Sequence, residues 1–292
     1  MNHTKRSVSD WIFDICNNIF MGFAAFITLY PFLHVLFSSF SNPTELVQHS
    51  GLMYRPAGFS LEGYKAVLAN REVYIGYANT IINVVLGTTI SVVMTAIFAY
   101  PLSHPRVKYK AFFNKMIVVT MFFGGGMIPN YMVVRSLGML DTRWALIIPG
   151  MIGTYNALIM KNAYMAVPAS LEESARLDGA NEFQSFWKII LPNVKATVAV
   201  LVLYYGVGYW NSWFSALIYL TDRNMYPLQL FLREILIESS TQEMDQVVKS
   251  NAFLEEVVKH ATTVVATVPI LMIYPFIQKY FVKGVMIGAV KE

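Results

Sequence analysis

Fixed charge is scarce in this chain, with 22 basic and 18 acidic side chains making up 14% of 292 residues, where a soluble domain carries nearer about a quarter. That shortage argues against a water-soluble acid–base enzyme. A single cysteine, Cys16, excludes an internal disulfide, and the five histidines show no Cys/His spacing of the zinc type. Cys16 reads as a small apolar filler, and no metal site is expected. Despite a net charge of +4, no basic run with interleaved aromatics supports nucleic-acid binding. A phosphate-binding loop is also missing. Gly124-Gly125-Gly126 is not followed by Lys-Ser/Thr, and reads as a flexible break before Pro129.

Apolar length is what the chain has in abundance, at 55% hydrophobic residues. Six runs free of Asp, Glu, Lys and Arg reach at least 17 residues: Ile15 to Thr44, Val73 to Pro105, Met116 to Val134, Trp144 to Met160, Ala196 to Thr221 and His260 to Gln278. About 20 apolar residues cross the roughly 30 Å hydrocarbon layer. The expected fold is therefore all-α: one polytopic domain over 1–292 with six transmembrane helices near 15–40, 78–103, 112–134, 143–163, 194–220 and 260–281. Counting Lys and Arg on alternate sides gives 13 on the side of both termini, including Lys5 and Arg6, and nine on the other. The excess places the termini in the cytoplasm and the chain in the plasma membrane. The first span is too long for the apolar core of a cleaved signal, and is expected to stay as an anchor.

Outside the membrane, 41–72 reads as a turn-rich loop. In 222–259, Leu228, Phe231, Leu232, Ile235 and Leu236 recur at helical spacing, which suits a helix lying on the membrane or packing over the bundle, or a partner surface. Between spans four and five lies the longest inner loop, 164–193. After Pro168, Ser170 and Glu173 have the spacing of a capping box. Gly179 then suits a left-handed corner. Phe183, Phe186, Trp187 and Ile190 follow on one predicted face before Leu191-Pro192. The pattern is helix, glycine corner, amphipathic helix, membrane.

This loop resembles the EAA loop of the membrane subunits of binding-protein-dependent ABC importers. The matching positions are Glu173-Ser174-Ala175, Gly179, Ile189 and Leu191-Pro192, all correctly spaced, with Ser174 where the family usually has alanine. The remaining chain, through the ending Lys283-Gly284-Val285-Met286-Ile287-Gly288-Ala289-Val290-Lys291, is similar to the smaller maltose-type permease. Tyr226-Pro227-Leu228-Gln229-Leu230-Phe231-Leu232-Arg233 looks like the branch that handles oligosaccharides and polysaccharide fragments. The resemblance implies a type I ABC importer permease that is not itself an enzyme. Its first loop helix would couple to a separate ATPase through Glu172, Glu173, Ala175, Asp178 and Gly179. It also implies a second permease, an extracytoplasmic solute-binding protein and a carbohydrate substrate, with ATP and magnesium held by the partner ATPase and no cofactor on this chain.

Asn130, Tyr131, Asn156, Tyr205, Tyr209, Trp210 and Asn211 are candidates for the substrate path, because aromatic faces beside amides suit a sugar. Belt positions or helix-packing contacts fit them as well. Pro129, Pro149, Pro269 and Pro275 suit either moving or static bends, and His34 reads as a packed residue. Three alternatives stay open. They are an importer of the same type for peptides or amino acids, an ion-coupled secondary transporter, and a membrane-embedded enzyme. The last two find little support in spans without fixed charge or paired catalytic groups.

Overall fold

The computed structural model describes residues 8–289 apart from 243–248. Lys5, Arg6, Val290 and Lys291 therefore lie outside the described residues. Among the described residues the chain is helical and without strands, apart from one isolated bridge between Ser41 and Phe59. It divides into two compact units. One comprises residues up to Asn70 together with Glu234–Thr267, and the other Arg71–Arg233 together with the chain from Val268 onward.

In the first unit, the helix Val8–Ser39 is apolar on nearly every side and leaves Trp11, Phe13, Phe20, Phe23 and Phe32 exposed. An all-round apolar helix of that length needs lipid or protein around it. The loop that follows is pinned to its end. Tyr30 accepts the Met53 amide hydrogen at 2.9 Å, and Met53 is buried with Leu46 and Val257. The short helix Pro43–Gln48 is capped by Asn42, whose side chain accepts from the Thr44 amide at 3.0 Å. The turn-rich reading of 41–72 is thus filled by a folded loop that also carries the helix Glu62–Ala69.

The second unit is organised by the 33-residue helix Arg71–Ser103. Its buried stripe is small and polar: Gly76, Asn79, Thr80, Asn83, Gly87, Thr88, Ser91, Thr95, Ala96 and Ala99. Small side chains at spacings of three and four let helices approach closely, and their hydroxyls and amides bond across the interface. Thr154–Met165 and Lys195–Trp210 pack on this stripe. Leu228, Leu230, Phe231 and Leu232 at the start of helix Leu228–Gln242 are buried, while Leu236 is exposed. That helix start packs over the bundle, as its spacing allowed.

Among the described residues, three helices are individually long and apolar enough to cross a bilayer: Ser9–Ser39, Arg71–Ser103 and Phe253–Ile273. Two bent pairs raise the number to up to five. Lys110–Phe122 and Met127–Ser136 meet at 114° across the glycine triplet, and Glu182–Asn193 meets Lys195–Trp210 at 81°. The fourth apolar run is divided into Trp144–Ile147, a 3-10 turn Ile148–Gly150 and Thr154–Met165. Pro149 supplies no amide hydrogen to continue the ladder. By contrast, Pro269 and Pro275 lie inside the continuous helix Lys249–Ala289, so neither interrupts it. The six apolar runs are therefore not six unbroken helices.

Candidate functional site

The loop 164–193 folds as two helices around a tight corner. The first, Ala169–Leu177, begins directly after Pro168, whose extended backbone forms the N-cap without a side-chain bond. Ser170 consequently falls inside the first turn, and the capping box expected on Ser170 and Glu173 does not form. One forms instead at the next helix, where Asn181 accepts from the Gln184 amide at 2.8 Å and the Asn181 amide donates to the Gln184 side chain at 3.1 Å. Between them Gly179 adopts φ +82°. The Ala180 amide bonds the Ala175 carbonyl at 2.9 Å and the Gly179 amide bonds the Arg176 carbonyl at 3.0 Å. This is a Schellman closure, which satisfies carbonyls at the end of the helix.

The second loop helix departs from its predicted face. Residues Phe186–Ile190 form a π-helical turn, whose extra residue per turn shifts the side-chain register. Phe186 and Ile190 are buried, whereas Phe183 is 70% exposed and Trp187 sits at the margin. Phe186 packs at 4.8 Å from Tyr100 and at 6.2 Å from Tyr164, ring to ring. The loop is thereby fixed to the C-terminal end of Arg71–Ser103.

Of the coupling candidates, Ala175 is buried, while Glu173, Asp178 and Gly179 are exposed. Glu172 faces inward. Its carboxylate accepts from Arg176 at 2.6 Å and lies 3.5 Å from His104 Nε2, and Arg176 also donates to Glu182 at 2.6 Å. One guanidinium thus ties the two loop helices together beside the end of the long helix. Leu177, absent from the sequence-based set, is 90% exposed at the corner. Its signal in the sequence was an apolar residue directly before the Asp-Gly corner.

The candidate path residues separate into two groups. Tyr205 is buried, shares a 2.6 Å hydrogen bond with Thr95 and accepts the Gly153 amide at 2.9 Å. Tyr209 bonds Ser91 at 2.9 Å and donates to the Ile147 carbonyl at 3.4 Å. Its ring lies where a side chain on Gly87 would stand, 2.6 Å from the ideal Cβ, so that crossing requires glycine. Trp210 is buried edge-on to Tyr77. These three brace the helices against one another. Asn211 is exposed and bonds back to the Val207 carbonyl at 3.0 Å. Asn130 is exposed, Tyr131 stacks on Tyr219 at 6.2 Å, and Asn156 lies beside Gly153 next to the exposed stack of Tyr155 on Tyr204.

The opposite end of this unit holds a polar network missed in the sequence. Asn79, nearly fully buried, donates to the Asn224 and Tyr226 carbonyls at 2.7 and 2.9 Å. It accepts from Arg143 at 2.6 Å, and Arg143 also reaches Asn83 at 3.2 Å. Two amides four residues apart inside an apolar run were the available signal.

Nearby, Asp141 at φ +59° accepts from the Thr221 hydroxyl and from the Thr221 and Asp222 amides at 2.8 and 3.0 Å. These bonds, the hydroxyl's first, hold its carboxyl below the ordinary value of 3.8. A carboxyl lowered by folding stabilises the folded form above its unfolded pKa, and that contribution is lost as pH falls through the folded value. Protection factors of the Thr221 and Asp222 amides in hydrogen exchange should accordingly fall below about pH 4. Asp141→Asn should flatten that dependence, and an unchanged pH profile in the variant would show that another group governs it.

Helices broken inside apolar runs thus form a braced bundle with an anchored corner loop. Residues 4–287 match the model of the family described as "Binding-protein-dependent transport system inner membrane component", and the chain belongs to that family. It is 42% identical to Protein LplC of Bacillus subtilis (strain 168) over 292 residues, covering 100% of this chain and 98% of the relative. Identity is 39% over 282 residues to the polygalacturonan/rhamnogalacturonan transport system permease protein YtcP of the same organism, covering 96% and 98%. A chain in the crystal structure of a bacterial ABC transporter involved in the import of the acidic polysaccharide alginate matches with TM-score 0.85 and 31% identity, covering 95% of this chain and 99% of that one. The protein is thus an inner-membrane permease component of a transporter, with close relatives among sugar and oligosaccharide permeases.

Proposed function

We propose that this chain is one permease subunit of an ATP-driven importer that carries an oligosaccharide across the plasma membrane. It works with a second permease, ATPase subunits and an extracytoplasmic solute-binding protein. Both termini lie in the cytoplasm. The chain crosses six times, with Lys110–Ser136, Trp144–Met165 and Lys195–Tyr219 each counted as one broken span. ATP and magnesium belong to the ATPase, which supplies the energy.

The observation that carries this reading is the Ala169–Leu177 helix with its Gly179 corner. It is fixed behind by Phe186, Ile190 and the Arg176 pairs, and presents Glu173, Leu177 and Asp178 outward. A short rigid helix seated in a cleft of the ATPase would move with it and pull on Arg71–Ser103 through Glu172 and His104. The oligosaccharide substrate is supported by what YtcP and the alginate transporter are named for. Purifying the tagged chain from its own host in mild detergent should bring down a second permease and a chain with an ATP-binding motif in fixed ratio. Recovery of this chain alone, under conditions where a known importer stays assembled, would restore the secondary-transporter reading. A peptide-binding companion protein would instead favour the peptide importer.

A further inference from the structure

We propose that His34, His260 and Glu256, joined by His49, bind one divalent transition-metal ion of the zinc type. The inference stands on the first compact unit alone and does not depend on the importer reading.

In the sequence the five histidines are scattered, with no spacing that announces a metal site. Folding brings three of them to one cavity of about 410 Å³, together with Glu256. His34 comes from the last turns of the helix Val8–Ser39, His49 from the C-cap of Pro43–Gln48, and Glu256 and His260 from the helix Lys249–Ala289. Four residues apart, Glu256 and His260 share one face of their helix. The buried cluster of Leu46, Met53 and Val257 fastens the loop to that helix beside them. Tyr30, one turn before His34, accepts the Met53 amide hydrogen at 2.9 Å. Packing and a backbone bond thus hold the three segments together, which positions the side chains without help from an ion.

Their separations suit a shared ion. Zinc–nitrogen bonds of about 2.0–2.1 Å at tetrahedral angles put neighbouring ligand atoms roughly 3.3 Å apart, and the centroids of two ligating imidazoles roughly 5 to 6 Å apart. His260 Nε2 lies 3.5 Å from Glu256 Oε1, and the His34 and His260 rings stand 5.9 Å apart at 70°. Lys259 holds the other Glu256 oxygen at 3.0 Å and so orients the carboxylate, as an outer partner does at metal sites. Among the described residues the rings of His34 and His49 have no hydrogen-bonded partner. Imidazoles with a single carboxylate suit zinc-like ions, whereas calcium and magnesium take oxygen ligands. The other histidine–carboxylate group, His104 with Glu172 and Glu182, already holds a cation, because Arg176 bonds both carboxylates at 2.6 Å.

The probe is zinc chloride, dialysed to equilibrium against the purified full-length protein with whatever partner subunits accompany it. His34→Gln and His260→Gln should each weaken one zinc per copy of this chain by roughly tenfold or more, while His104→Gln leaves it unchanged. A second measurement needs no variant. Zinc should shield His34, His49 and His260 from diethyl pyrocarbonate, read by mass spectrometry of the peptides, with His104 reacting as before. Saturating zinc should also raise the thermal midpoint of the protein. Equal zinc binding in every variant would mean an adventitious ion only and overturns the proposal. So does the absence of saturable binding, or shielding of His104 in place of the other three. Because zinc is read directly and not through uptake, failure of the importer reading would leave this result standing.

Discussion

Gly179→Val should cut coupled uptake by about tenfold or more while leaving the chain inserted and assembled with its partners. The ideal Cβ at Gly179 meets nothing within 4 Å, so the substitution causes no clash, and its cost is conformational. A β-branched residue held at φ +82° is strained by about 1 to 3 kcal/mol. Strain of that size corresponds to roughly five- to 150-fold if it falls on the docked state. Relief comes by unwinding the corner, which releases the Ala180 and Gly179 amides from the Ala175 and Arg176 carbonyls and lets Leu177 and Asp178 swing away. Gly179→Asn is the informative control, because asparagine tolerates the left-handed region and should keep most of the uptake. Uptake, ATPase rate and subunit stoichiometry measured on the same proteoliposomes separate loss of coupling from loss of assembly. Normal uptake by the valine variant would sink the idea that this corner transmits force.

The largest effect on stability is expected at Asn79. Asn79→Leu removes two donated bonds and one accepted bond, and leaves the Arg143 guanidinium with the longer contact to Asn83 as its remaining bond in this network. Losing a hydrogen bond to a partly buried charged group costs about 1.5 to 3 kcal/mol, and the two donated bonds add to that. Thermal unfolding of the purified complex should fall by several degrees. The double variant with Arg143→Leu should recover part of the loss, since an apolar pair leaves no partly buried cation without its partner. No recovery in the double variant would mean that the Asn224 and Tyr226 carbonyls dominate the cost.

The broad outline was legible in sequence because it rests on local chemistry. Runs without fixed charge identify apolar helices whatever packs on them, and a glycine between two helical patterns marks a corner because few other residues adopt positive φ. The corner at Gly179 and the break at Gly124-Gly125-Gly126 stand where those rules put them. Residue-level roles were less legible. Tyr205 and Tyr209 read equally as sugar contacts or packing residues, and their hydroxyls turned out to be engaged by Thr95, Gly153, Ser91 and Ile147 on other parts of the chain. Ser170 has the spacing of a cap, but the helix starts one residue before it. The π turn at Phe186–Ile190 rotated Phe183 out of the face that regular spacing assigned to it.

By itself, then, the sequence determined which segments avoid water, where the chain must turn and which family's loop it carries, since each depends on a residue and its near neighbours. Tertiary structure alone decided which polar groups are spent. Glu172 is drawn to Arg176 and His104, Asn79 to Arg143, and Arg233 to the face of Trp213. A hydrogen bond or ion pair is fixed by the distance between two groups in space, and the helices that bring Asn79 to Tyr226 span 147 positions of chain that no local pattern encodes.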